Sequence, residues 1–125
     1  MCKSRKTVLV VDDDSLIRRI MHVRLANKFG YKVVEAQNGM SGLELANSIL
    51  PDLILLDWNM PQMSGLDVIK KLRSTPKTGN IPVIMLTGRD LFGEMEDALA
   101  AGADGYVTKP VALNNLSRQI ENALN

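Results

Sequence analysis

Short apolar runs alternate with amphipathic segments along the whole chain. Thr7–Val11 is β-branched and almost continuously apolar, the pattern of a strand buried on both faces. Ile17, Ile20, Met21 and Leu25 then recur at helical spacing, with Arg18, Arg19 and Arg24 on other faces. Ser15, or one of the acids before it, caps this helix, and Gly30 stops it. Tyr31–Ala36 predicts a second strand and Asn38-Gly39 a turn. Leu43 and Ala46 anchor a modest second helix that ends before Pro51, and Leu53–Leu56 is the third strand. A loop over Met60–Gly65 leads to a third helix marked by Leu66, Ile69 and Leu72, and Ser74–Asn80 is again a loop. Ile81–Leu86, with Pro82 near its start, predicts the fourth strand. Leu91, Met95, Ala98 and Leu99 predict the fourth helix, closed by Gly102. Gly105–Thr108 is the fifth strand, and Leu113, Leu116, Ile120, Ala123 and Leu124 mark the last helix.

Such βα alternation with short loops predicts an α/β fold, a parallel sheet covered by helices on both faces. No composition shift, repeat or low-complexity segment interrupts it. The expectation is a single domain over residues 1–125 with no output domain.

Composition narrows the function classes. The chain is 46% hydrophobic but only 4% aromatic, so its core is aliphatic, with the seven methionines as gap fillers. Fifteen basic residues against fourteen acidic ones give no reason to expect nucleic acid or an anionic membrane as partner. The single cysteine, Cys2, excludes an internal disulfide or a cysteine metal site. No signal peptide and no transmembrane run of about 18 apolar residues is present, so the default location is cytoplasmic. His22, on the first helix, reads as a solvated helix residue and not as a phosphorelay histidine.

The chemistry lies at the strand ends. The first strand runs into Asp12-Asp13-Asp14, the third into Asp57, the fourth into Thr87 and the fifth into Lys109. In a parallel sheet these ends share one edge, outside which open α/β sheets bind their ligands. Clustered acids disfavour full ionisation unless a cation joins them. Oxygen donors in a water-rich site suit magnesium, and Asn59 can add a carbonyl. One carboxylate can serve as a nucleophile towards phosphorus. A hydroxyl and an ammonium opposite the acids can hold the oxygens of a transferring phosphoryl group. Trp58, beside Asp57, can report on metal binding by its fluorescence.

In four stretches the chain resembles the response-regulator receiver family. They are Val10-Val11-Asp12-Asp13-Asp14, Asp57-Trp58-Asn59-Met60-Pro61 with Gly65, Pro82–Thr87, and Gly102-Ala103-Asp104-Gly105-Tyr106 followed by Lys109-Pro110. The resemblance spans essentially the whole chain and is greatest to the single-domain chemotaxis regulators. It implies a doubly wound, flavodoxin-like (βα)5 sheet in the order 2-1-3-4-5. It implies a stand-alone two-component response regulator that takes a phosphoryl group from a histidine kinase onto Asp57. Magnesium would be held by Asp13, Asp57 and the Asn59 main-chain carbonyl, with Asp12 acting through water. Thr87 and Lys109 would contact the phosphoryl oxygens, and Thr87 and Tyr106 would form the switch pair. The implied partners are a sensor histidine kinase or phosphotransfer protein, a downstream target such as the flagellar motor switch, and a phosphatase. The target would meet the surface of the fourth helix, fifth strand and fifth helix. Apart from its own phosphorylation and dephosphorylation, the domain would not be an enzyme.

Two positions depart from those chemotaxis regulators. Asp14 replaces an apolar aromatic and makes the surface beside the pocket more acidic. Arg89 replaces an acid that overlooks the phosphoryl group, and is expected to slow loss of phosphate, while Gly88 keeps the entrance open. A competing reading is a haloacid-dehalogenase-type phosphatase, whose opening motif Asp12-x-Asp14 imitates. That reading needs an acidic pair after the lysine, and beyond Lys109 only Glu121 is acidic. A flavin site is disfavoured because the acidic first loop would repel a phosphate.

Overall fold

The computed structural model describes residues 6–88, 92–109 and 111–124. Five strands alternate with five helices: β1 (Thr7–Val11), α1 (Ser15–Phe29), β2 (Lys32–Ala36), α2 (Gly39–Ile49), β3 (Leu53–Asp57), α3 (Gly65–Ser74), β4 (Val83–Thr87), α4 (Phe92–Ala101), β5 (Gly105–Thr108) and α5 (Leu113–Leu124). The sheet is parallel throughout and ordered β2-β1-β3-β4-β5. The chain therefore reverses its winding between β1 and β3, and the crevice between their carboxyl ends is the topological switch point.

Strand periodicity divides the core into two layers. Leu9, Val11, Ile54, Leu56, Val83 and Met85 face α2, α3 and α4, where they meet Ala46, Val68, Ile69, Leu72 and Ala98. Val8, Val10, Leu53, Leu55, Ile84, Leu86 and Val107 face the other side, against Met21 and Leu25 of α1 and Leu116 and Ile120 of α5. Every residue of β3 and β4 is buried, as continuous apolar runs demand.

Several boundaries differ from the sequence expectation for local reasons. β4 starts at Val83 because Pro82 has no N–H to give to the ladder. β3 and β4 each extend one residue further, so Asp57 and Thr87 belong to the sheet itself. Asn38 caps α2 by accepting the Ser41 N–H and is not a free turn. Ile20 and Leu99, expected on inner faces, are substantially exposed, as is Met40 among the methionines. Leu91 lies outside the described residues.

The amino edge of the sheet is fastened by Arg73, at the end of α3. Its guanidinium donates to the carbonyls of Gly79, Ile81 and Gly102 and to the Asp104 carboxylate. The segments leading into β4 and β5 are thereby tied to α3. Arg73→Met would leave these acceptors without their donor. A loss of about 2 kcal/mol in unfolding free energy is expected, measured by urea denaturation.

Candidate functional site

The carboxyl edge gathers the polar strand ends. Asp12 follows β1 and is fully buried. Its N–H donates to the Ala36 carbonyl at 3.1 Å, which continues the pairing with β2. Its Oδ1 accepts the Asp14 N–H at 2.9 Å, so the three acids curl into a tight turn. Asp14 then leaves the cluster and caps α1: its Oδ1 accepts from Leu16 N–H at 2.9 Å and Ile17 N–H at 3.3 Å.

Asp57 closes β3 and is 4% exposed. The loop after it is held by Trp58 N–H donating to Leu86 O and Gly65 N–H donating to Trp58 O, both at 2.9 Å. This turn brings the start of α3 against the strand end. A Cβ at position 65 would collide with the Asp57 carbonyl oxygen, so the close approach requires glycine.

Lys109 reaches the acids from the end of β5. Its N–H donates to Thr87 O at 2.7 Å, and its Nζ donates to Asp12 Oδ2 at 2.9 Å and Asp57 Oδ1 at 3.1 Å. One ammonium thus spans two buried carboxylates. Burial alone raises the Asp57 carboxyl, and the Asp12 charge raises it further. Lys109 opposes both, yet Asp57 ends pushed up to about 7 from an ordinary 3.8. Burial pulls the Lys109 ammonium down, but its bonds to the two acids outweigh this and hold it above its ordinary value.

Carboxylate oxygens of Asp12, Asp13 and Asp57 lie within 4.8 Å of one another. Asp13 is exposed and the other two are buried. Three hard oxygen donors with one open, wet side fit magnesium. Asn59 lies exposed on the same loop, two residues beyond Asp57. Thr87, at the end of β4, has a buried hydroxyl with no hydrogen-bond partner among the described residues. A buried hydroxyl is costly unless it is bonded, so this atom is available to a ligand oxygen.

The remaining sequence candidates lie around this centre. Tyr106 is half-buried on the edge strand, beside Met85 and against the layer of α2, α3 and α4. Gly88 is exposed, and a Cβ there would meet nothing within 4 Å. Arg89 lies outside the described residues. His22 is not simply solvated: its Nδ1 is 2.7 Å from Glu35 Oε2 on β2. Sequence reasoning also passed over Arg18, which donates to the Asp12 carbonyl at 2.6 Å. Its anchor Glu35 is distant in sequence, and only the β1–β2 pairing brings the two together.

Residues 8–121 match the family model of the response regulator receiver domain. The chain is 40% identical over 116 residues to chemotaxis protein CheY1 of Helicobacter pylori, covering 91% of this chain and 93% of that protein. It is 43% identical over 109 residues to response regulator MprA of Mycolicibacterium vanbaalenii, covering 87% of this chain but 46% of that protein. The chain therefore spans about half the length of this relative. Chemotaxis protein CheY4 of Vibrio cholerae superposes with a TM-score of 0.91 at 30% identity, over 97% of this chain and all of that one. The sequence match, the strand order and the acids at the switch point agree, and the chain belongs to the response-regulator receiver family of two-component systems, in its CheY-like form.

Proposed function

We propose that this receiver domain takes a phosphoryl group from a phosphohistidine of a partner kinase or phosphotransfer protein onto Asp57. The observation that carries this reading is the Lys109 ammonium between two buried acids, with the buried Thr87 hydroxyl, unpartnered among the described residues, at the end of the neighbouring strand. Asp57 Oδ attacks phosphorus, the P–N bond to imidazole breaks, and the leaving imidazole takes up a proton. Lys109 and Thr87 hold the equatorial oxygens of the transferring group. Asp12, Asp13, Asp57 and Asn59 would hold magnesium, which supplies positive charge to the phosphoryl oxygens. The aspartyl phosphate then favours a second arrangement in which Thr87 and Tyr106 shift together. A two-state change of this kind requires that the phosphoryl group contact one state better than the other.

The surface of α4, β5 and α5, with exposed Leu99, is the proposed readout face for a downstream protein. An apolar groove of about 220 Å3, lined by Ile17, Ile20, Met21, Arg24, Lys109 and Val111, opens beside the site and offers a seat for the phosphodonor. Likeness to CheY1 and CheY4 supports a chemotaxis-like role. Asp14 speaks against the phosphatase alternative. Its carboxylate is engaged in capping α1, whereas the imitated motif needs it beside the nucleophile.

Incubated with acetyl phosphate and magnesium, the wild type should be labelled on Asp57 and Asp57→Asn should not. Equal labelling of the two would remove the proposal. Trp58 emission should respond to magnesium, with a midpoint at least about tenfold higher in Asp13→Ala.

The raised Asp57 carboxyl also makes stability depend on pH. Its folded value of about 7 lies above the ordinary 3.8, so the native state binds the extra proton. The resulting stabilisation is complete below the ordinary value and is lost as pH rises through the folded one. In chelator, Asp57→Asn should therefore be the more stable protein at pH 8, by about 2 kcal/mol, and the difference should shrink towards pH 4. Added magnesium should restore the wild type at pH 8 and leave the variant nearly unchanged. Chemical denaturation at the two pH values, with and without the ion, measures this.

A further inference from the structure

Asp12 and Asp13 can serve a metal only if the peptide between them is held. Asp12 has a bonding partner at each of its polar groups. Its N–H is fixed by Ala36, one carboxylate oxygen by the Asp14 N–H and the other by Lys109. The remaining group is its carbonyl, which is half of the peptide that carries Asp13. Arg18 Nη1 donates to that carbonyl at 2.6 Å.

The guanidinium is itself held from behind. Arg18 Nε donates to Glu35 Oε1 at 3.3 Å, and the other oxygen of Glu35 is 2.7 Å from His22 Nδ1. The Arg18 side chain is 15% exposed, and that of Glu35 30%. Arg18 and His22 are i and i+4 on α1, so one helix face brings both to the β2 carboxylate. The planar fork of arginine lets one side chain bind a carboxylate and a main-chain carbonyl together, which a lysine ammonium on its flexible stem does poorly.

We infer that Arg18 is a positioning residue for the acidic site: it orients the Asp12–Asp13 peptide so that the exposed Asp13 carboxylate stays aimed at Asp57. The inference rests on the metal-binding reading above and adds to it a residue that touches neither metal nor phosphoryl group. Position and charge predict opposite signs. Arg18 is a cation near a cation site, so its charge alone opposes magnesium, and removing it would tighten binding. If its bond to the carbonyl matters more, removing it loosens the turn and weakens binding, as loss of an outer hydrogen-bonding partner does in other metal sites.

The test compares wild type, Arg18→Met and Arg73→Met. Arg73 serves as the stability control because it acts at the opposite edge of the sheet. Magnesium is titrated by Trp58 emission, and exchange of the Asp14 amide is followed by NMR in chelator. The expected result is a magnesium midpoint about tenfold higher in Arg18→Met and faster exchange of the Asp14 amide, with both unchanged in Arg73→Met. Arg18→Gln takes the place of Arg18→Met if the latter does not fold, with the same expectation. An unchanged or lower magnesium midpoint in the Arg18 variant overturns the inference, as does an equal effect in Arg73→Met. If Trp58 of the wild type ignores magnesium, the metal-binding reading fails separately. The exchange measurement then decides alone: faster exchange in the Arg18 variant upholds the positioning role, and unchanged exchange overturns it.

Discussion

The bridge from Lys109 to Asp12 and Asp57 is the constraint around which the molecule is arranged. Two carboxylates taken out of water at the end of a parallel sheet repel each other and lack hydration. One ammonium at about 3 Å from each makes the arrangement tolerable without satisfying it, and Asp57 keeps a carboxyl raised to about 7. That unmet demand for positive charge underlies the proposed chemistry. It favours a proton, a divalent cation, or transfer of the charge onto a bound phosphoryl group.

The fold supplies this arrangement through backbone placement. β1 and β3 are neighbours, so Asp12 and Asp57 meet although far apart in sequence. β4 and β5 extend the same edge, adding Thr87 and Lys109. Two aliphatic layers, one on each face, keep the strands in register. At the amino edge Arg73 ties α3 to the segments before β4 and β5, while the carboxyl edge holds Asp12, Asp57 and Lys109. The Arg73 clamp and the proposed phosphoryl site thus lie at opposite ends of the same strands. In the proposed cycle, the Thr87 hydroxyl is the natural first mover, because it is buried and has no bond to break among the described residues.

Much of this was legible in the sequence. Apolar runs ending on Asp12, Asp57, Thr87 and Lys109 mark both the strands and the edge on which they end. The order of the strands is not in any local pattern, and the family resemblance supplied it. Sequence leaves the cap of α1 open between Ser15 and one of the acids before it; that Asp14 takes it depends on where the helix starts, which sequence fixes poorly. Arg18 and His22 looked like surface positions because their partner, Glu35, comes from another strand. The Arg73 clamp leaves no sequence signal either: most of its acceptors are main-chain carbonyls, which every residue possesses, and its carboxylate partner Asp104 lies 31 residues on. Packing periodicity is local and places most inner-face residues, with Ile20 and Leu99 as exceptions; polar contacts made across elements leave no local pattern.

Direct titration of the Asp57 carboxyl carbon by 13C NMR bears most closely on the strained acid pair. In chelator its midpoint should lie at about 7 and fall well below that when magnesium is added. An ordinary midpoint of 3.8, unmoved by magnesium, would contradict the raised carboxyl.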